Sequence, residues 1–164
     1  MIVIADTTPL NYLILIGHAD VLPALYGRVL IPEAVAQELH GSGTPDVVKA
    51  QISSPPAWLE IRQVKRSIDP ELRKLDLGEQ EAITLAEELQ ADALILDEKN
   101  GRRAALLRHL TVIGTLGVLE EASKLELLDL PTALGKLQST TFRAHGDLLR
   151  AFLERDARRK QNRS

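Results

Sequence analysis

The chain has 164 residues, of which 45% are hydrophobic, and its formal net charge is −3. These values are typical of one globular domain with its own core, and they exclude a membrane protein, since no apolar run approaches the roughly 18 residues of a bilayer span. The sequence contains no cysteine, which excludes disulfides and thiolate metal sites. It also lacks the basic N-terminal region of a signal peptide, so we expect a cytoplasmic protein without membrane contact.

The charges are distributed unevenly along the chain. Residues 1–130 contain 12 Lys and Arg against 20 Asp and Glu, whereas residues 131–164 contain 8 against 3. We therefore expect one domain over residues 1–164 with a basic C-terminal helical tail from about residue 131. The last basic residues of this tail could bind phosphate or form a solvated helix end; they are Arg155, Arg158, Arg159, Lys160 and Arg163.

The first half of the chain predicts alternating strands and helices. Residues 2–5 are an uninterrupted apolar run that ends at Asp6, as expected of a strand covered on both faces. Thr8 can cap the next helix, with Pro9 at its first position and Gly17 at its end. The pattern then predicts a short helix at 20–26, a strand at 29–31, a helix at 32–41 and room for a short helix between 45 and 53.

The second half continues the same alternation. Residues 59–64 alternate between apolar and polar side chains, which predicts a strand at the edge of the sheet. The apolar pattern then predicts a helix at 78–90, a strand at 93–96, a helix at 101–109, a strand at 111–113 and two or three C-terminal helices. Strands that alternate with helices indicate the α/β class with a parallel sheet.

Two aspartates follow strands in the same way. Asp6 ends the first apolar run, and Asp97 comes directly after the run that ends at Leu96. Because ligands of parallel α/β sheets bind at the carboxyl ends of the strands, we expect both carboxylates in one crevice. Glu38 lies beside the inward stripe of its helix, where a buried acid needs a partner such as a cation.

A fourth acid must be chosen between Glu79 and Glu81. At about 100° per residue, the apolar stripe of this helix centres roughly 50° from Glu79 but about 110° from Glu81. Glu79 is therefore the better candidate, and Glu81 remains the alternative.

The candidate site consists of four carboxylates with no Cys or His among them, which predicts that it binds a hard metal ion. Mg²⁺ and Mn²⁺ prefer carboxylate oxygen and water, and they leave coordination positions for substrate phosphate. Two such ions about 3.5–4 Å apart can activate a water and stabilise the leaving oxygen of a phosphodiester. The acids would raise one another's pKa in the absence of metal.

The segments 6–10, 77–83, 94–98 and 113–119, with Glu38 ahead of a glycine-containing loop, together resemble a PIN domain. More narrowly, they are similar to the DUF3368-type, predicted nucleic-acid-binding relatives of the VapC toxins. The resemblance implies a three-layer α/β/α domain with a parallel sheet of four to five strands. It also implies a Mg²⁺- or Mn²⁺-dependent endoribonuclease that cuts single-stranded RNA, often a homodimer, and the toxin of a type II toxin-antitoxin pair with a small antitoxin protein.

The residues carried over from the resemblance are Asp6, Glu38, Glu79 and Asp97 as catalytic and metal-binding acids, with Thr8 as a supporting residue. Arg102 and Arg103 could bind RNA phosphate or lie on a solvated helix face. The chain differs from the commonest toxin pattern in its Glu at the third acid and in its Gly114–Gly117 segment. The alternative hypothesis is a catalytically inactive PIN-like module that binds RNA or protein.

Overall fold

The structure is a computed structural model that describes residues 1–163. The strands are β1 (Val3–Ala5), β2 (Val29–Pro32), β3 (Leu59–Arg62), β4 (Ala93–Ile95) and β5 (Val112–Ile113). The helices are α1 (Thr7–Leu15), α2 (Val21–Tyr26), α3 (Glu33–Glu38), α4 (Asp46–Ser53), α5 (Leu77–Glu88), α6 (Lys99–Leu107), α7 (Thr115–Lys124), α8 (Leu130–Gln138) and α9 (Gly146–Arg163). A single 3₁₀ turn at Pro70–Leu72 precedes α5.

The five strands form one parallel sheet in the order β3-β2-β1-β4-β5. The central strand β1 pairs on one side with β2 and on the other with β4, so that Val3 lies opposite both Val29 and Ala93. This arrangement confirms the predicted parallel sheet and the edge position of the third strand. The chain reverses its direction of travel across the sheet between β1 and β4, and ligands of open α/β sheets bind at such a point.

Side chains of β1 enter two separate cores because successive residues of a strand point to opposite faces. Val3 and Ala5 belong to a core that includes apolar residues of α1, α2, α7 and α8, whereas Ile4 belongs to a core with α5 and α6. All three side chains are buried. Helices therefore cover both faces of the sheet, which confirms the three-layer α/β/α class.

The basic tail is largely occupied by ion pairs within the chain. Helix α9 packs on α7, and its buried Asp156 accepts a hydrogen bond of 2.8 Å from Ser123 and pairs with Lys160 at 2.8 Å. Arg155 and Arg159 both pair with Glu120 of α7. These contacts attach the tail to the domain, so its end is not a simple solvated helix and much of its charge is already neutralised.

Some helix boundaries differ from the prediction. Helix α1 begins at Thr7, and its N-cap residue is Asp6, with extended backbone angles, so Thr8 is not the cap. The strand passes into the helix without a connecting loop, which places the first carboxylate where strand and helix meet.

Over the described residues, no helix is both long and apolar enough to cross a membrane.

Candidate functional site

Asp6 and Asp97 follow two neighbouring strands at the same edge of the sheet. The backbone N–H of Asp6 donates to the carbonyl of Ile95 at 2.9 Å, which fixes the end of β1 against β4. Asp6 is only 4% exposed, and its Oδ1 has no hydrogen-bond partner. Burial is the main cause that raises the pKa of Asp6 to about 7, and the nearby charges of Asp76, Glu38 and Asp97 add to it.

Glu38 closes α3 and turns its carboxylate toward the other acids. It accepts a hydrogen bond from the Thr7 hydroxyl and another, 3.0 Å long, from the backbone N–H of Gly78. A Cβ atom on Gly78 would lie 2.5 Å from Glu38 Oε2, so a larger residue here would displace this carboxylate. Gly78 therefore lets the N-terminus of α5 approach Glu38 in its present position.

Glu79 lies in the first turn of α5 and points into the protein. It is 4% exposed, and its Oε2 has no hydrogen-bond partner. Burial is the main cause that raises the pKa of Glu79 to about 9. A hydrogen bond with Asp76 and the charges of Asp76, Asp6 and Glu98 contribute to the same shift. Gly101 of α6 packs so closely on Glu79 Oε2 that a Cβ there would overlap it.

Glu81, the alternative to Glu79, faces a different part of the molecule. Its Oε1 accepts a 3.0 Å hydrogen bond from the backbone N–H of Ala34, in the first turn of α3. The unpaired N–H groups of a helix N-terminus favour such a carboxylate. The structure therefore gives Glu81 a helix-capping role, whereas Glu79 is buried and its pKa is raised in part by the charge of Asp6.

Asp97 is half-buried and is held by the start of α7. The backbone N–H of Thr115 donates to Asp97 Oδ1 at 2.8 Å, and the Thr115 hydroxyl donates to Oδ2. Burial raises the pKa of Asp97, while the Thr115 hydrogen bonds and the charge of Arg102 oppose that shift. Arg102 is fixed by a 2.8 Å hydrogen bond to the carbonyl of Leu96.

Three residues near the acids were missed by the sequence analysis. Asp76 caps α5 by accepting a 2.8 Å hydrogen bond from the N–H of Glu79, and its charge acts on both Asp6 and Glu79. The spacing of Asp76 and Glu79, an N-cap acid three residues before a glutamate, could have indicated it. Thr7 donates a hydrogen bond to Glu38, and Thr115 donates to Asp97. Both contacts join residues far apart in sequence, so no local sequence pattern could have indicated them.

A groove of about 1150 Å³ opens beside Asp97. Thr8 lines this groove, and no hydrogen bond between Thr8 and Asp6 is found in the structure. Arg102 and Arg103 line it as well, Arg103 being exposed and Arg102 half-buried. Both arginines therefore line the same groove as Asp97.

The donors at this site fit a hard divalent cation in their chemistry. Buried oxygens of Asp6 and Glu79 lack partners, and a cation is the partner that a buried carboxylate requires. Within residues 1–163, no group of three or more His, Asp or Glu side chains is already arranged to hold a metal. Glu38 and Asp97 accept hydrogen bonds from their own chain, and each of their carboxylates keeps lone pairs that can still bind a cation.

Comparisons with known proteins agree with this architecture. A family model described as a PIN domain, DUF3368, matches residues 2–158. The fold is similar to that of a PilT N-terminus domain protein from the hyperthermophilic archaeon Sulfolobus solfataricus P2, with a TM-score of 0.54 and 18% sequence identity over 88% of this chain and 100% of that one. None of the curated proteins matches the chain. Since the family model spans nearly the whole sequence, the chain belongs to the PIN-domain family, whose fold is of the nuclease type.

Proposed function

We propose that the protein is an endoribonuclease that cuts single-stranded RNA with the help of Mg²⁺ or Mn²⁺. The observation that carries the proposal is the pair of buried carboxylates, Asp6 and Glu79, each with an oxygen that has no partner. Burial and the charges of neighbouring carboxylates raise the pKa of both Asp6 and Glu79, so ionising these two acids is unfavourable until positive charge is added.

In this proposal all four acids bind the cation, and their roles differ because their hydrogen bonds differ. Asp6 and Glu79 hold the cation, and Glu38 and Asp97 complete its surroundings with the carboxylate lone pairs that their hydrogen bonds to Gly78 and Thr115 leave available. A divalent cation bound there would supply a Lewis acid for the phosphodiester and lower the pKa of the attacking water.

Thr8, Arg102 and Arg103 serve the substrate side of the site. Thr8 lies at the groove next to Asp97, where its hydroxyl can hydrogen-bond a water or a phosphate oxygen. The guanidinium groups of Arg102 and Arg103 can bind the phosphates on either side of the scissile bond through charge-assisted hydrogen bonds.

The test uses end-labelled single-stranded RNA with Mn²⁺, Mg²⁺ or a chelator. The native protein should cut only with metal, and Asp6→Asn and Glu79→Gln should each abolish cutting. Glu81→Gln is the matched control, since it also replaces a carboxylate by an amide, and it should cut like the native protein. If the native protein fails to cut but still binds RNA, the alternative of an inactive binding module would take the place of the proposal.

We extend the proposal to a toxin role, with a small antitoxin as partner and a homodimer as the assembly. The acidic cluster can be neutralised by a basic side chain, most simply an Arg, whose guanidinium binds carboxylates and supplies no attacking water. Expression of the native chain alone in its host should slow growth, and expression of Asp6→Asn should not. Normal growth with the native chain, combined with RNA cutting in vitro, would favour a housekeeping ribonuclease.

A further inference from the structure

The Gly114–Gly117 segment, which differs from the commonest toxin pattern, lies directly against Asp97. The backbone N–H of Leu96 donates to the carbonyl of Ile113 at 2.9 Å, so the ends of β4 and β5 lie side by side. Asp97 therefore follows β4 where Gly114 follows β5 and caps the start of α7. The segment contains no acid itself, but it is the immediate neighbour of one of the four acids.

Both glycines of this segment allow a close approach. A Cβ at Gly114 would lie 2.9 Å from Asp97 Oδ1 and 3.0 Å from Arg102 Nη1. A Cβ at Gly117 would lie 2.7 Å from Ile113 Cγ1, so its absence lets the first turn of α7 pack on the end of β5. The two glycines therefore let the N-terminus of α7 come up to the Asp97 carboxylate.

Thr115, between the glycines, contacts both oxygens of that carboxylate. Its backbone N–H donates to Asp97 Oδ1 at 2.8 Å, and its hydroxyl donates to Oδ2. Thr115 is 0% exposed, and its β-branched side chain has few accessible rotamers, so the hydroxyl is itself held in place. Two donors on one rigid residue fix the plane of the carboxylate as well as its position. Each oxygen keeps a further lone pair that can bind a cation.

The hydroxyl contact distinguishes this arrangement from a simple helix cap. A carboxylate that accepts from the first N–H groups of a helix stabilises the helix, and the bond from the Thr115 N–H to Asp97 Oδ1 is of this kind. The bond from the Thr115 hydroxyl to Oδ2 satisfies no N–H group of α7. Its effect falls on the orientation of Asp97 and not on the end of the helix.

We propose that Thr115 is a positioning residue of the acidic site, which holds the Asp97 carboxylate in the orientation that binds the divalent cation. In this role Thr115 acts only through Asp97. Groups that hydrogen-bond to metal ligands orient those ligands, and their removal typically weakens metal binding about 10–100-fold. The inference rests on the proposed function, because it takes Asp97 to be a ligand of the cation.

The experiment removes the hydroxyl and keeps the backbone contact. Thr115→Val preserves the shape of the side chain, and calorimetric titration should show that it binds Mn²⁺ about 10–100-fold more weakly than the native protein. Thr115→Ser restores a hydroxyl and should bind Mn²⁺ with close to native affinity. If Thr115→Val is unfolded by circular dichroism, Thr115→Ala takes its place.

Thr84→Val is the matched control. Thr84 is 2% exposed in α5, and its hydroxyl donates at 2.7 Å to the backbone carbonyl of Gln80 and not to a carboxylate. The substitution removes a buried threonine hydroxyl in the same way, so it should bind Mn²⁺ like the native protein.

A double-mutant cycle tests whether Thr115 acts through Asp97. Asp97→Asn should itself weaken Mn²⁺ binding, and Thr115→Val added to it should weaken binding by no more than about a further twofold. A second readout needs no metal. In metal-free protein, the NMR couplings between Hα and Hβ of Asp97 should indicate one χ1 rotamer in the native protein and in Thr115→Ser, but an average of rotamers in Thr115→Val.

The proposal is overturned if Thr115→Val binds Mn²⁺ as tightly as Thr84→Val, or if the Asp97 side chain keeps its single rotamer in Thr115→Val. An equal loss of affinity with and without Asp97→Asn would also overturn it, since Thr115 would then act by another route. Native protein that binds Mn²⁺ but cuts no RNA would refute the nuclease proposal and leave this one standing. Native protein that binds no Mn²⁺ would refute both.

Discussion

The close contact of Gly101 with the Glu79 carboxylate leads to a quantitative prediction. A Cβ at Gly101 would overlap Glu79 Oε2, and it would lie 3.2 Å from both Glu79 Cδ and Leu96 Cδ2. The backbone of Gly101 is helical, so alanine meets no conformational strain there and its cost arises from the contact alone. Overpacking of this kind costs about 1–3 kcal/mol.

Gly135 provides the matched control. It also lies within a helix, α8, but nothing is within 4 Å of the position of its Cβ. Gly135→Ala should therefore stabilise the protein by about 0.5–1 kcal/mol, because alanine loses less backbone entropy on folding. Gly101→Ala has the same gain in backbone entropy, so the two substitutions should differ in free energy of unfolding by the contact cost alone, about 1–3 kcal/mol.

Urea unfolding followed by circular dichroism gives the stability of both variants, and titration calorimetry with Mn²⁺ gives their metal affinity. Gly101→Ala should bind Mn²⁺ about 10–100-fold more weakly, since it displaces a carboxylate proposed to be a ligand, whereas Gly135→Ala should bind normally. A Gly101→Ala protein that is stabilised like Gly135→Ala and binds Mn²⁺ with native affinity would refute the reasoning.

Three further predictions concern the charged residues. Burial raises the pKa of Asp6 from 3.8 to about 7, so the folded state binds more protons than the unfolded state between these pH values. Metal-free protein should therefore lose stability, on the order of 4 kcal/mol, as the pH rises from about 4 to 7. Thermal melts at each pH should show a weaker pH dependence for Asp6→Asn. Glu81→Ala should cost about 1 kcal/mol in urea unfolding by leaving the N–H of Ala34 without its acceptor, and an unchanged response to Mn²⁺ would separate this role from that of a ligand. Asp156→Ala should cost about 1–3 kcal/mol, because it leaves the buried Ser123 hydroxyl without its acceptor, whereas the partly exposed Lys160 keeps Asp129 as a partner. An unchanged stability in the same assay would contradict this account of how the tail is attached.

Local patterns predicted the features that depend on periodicity. Continuous apolar runs are typical of strands that are buried on both faces, so the acids that end two such runs, Asp6 and Asp97, were predicted to follow parallel strands. In the structure these two strands, β1 and β4, are adjacent. The helical wheel placed Glu79 inward and Glu81 to the side, and the structure has Glu79 at 4% exposure and Glu81 on the N-terminus of α3. Whether Glu79 binds metal stays a prediction.

Features that depend on the pairing of distant segments were not accessible to the same patterns. The hydrogen bond from Gly78 to Glu38 joins positions 40 residues apart, and the bond from Thr115 to Asp97 joins positions 18 apart. For the basic tail the sequence analysis rested on the charge count alone. A charge count cannot indicate that Glu120 pairs with Arg155 and Arg159. The N-cap of α1 was misplaced by two residues, because Asp6 serves both the strand end and the helix start.

The pairing of the first strand with the fourth has a consequence for the chain during its synthesis. Val3 and Ala93 are partners in the sheet, and Asp6 acquires its neighbour Asp97 only after about 90 further residues have been added. A ribosome that adds roughly 5–20 residues per second needs at least about 5 seconds for that stretch. Throughout this interval the emerging protein lacks one of its four acids, so the ribonuclease activity proposed above could not yet act on the message from which the chain is being translated.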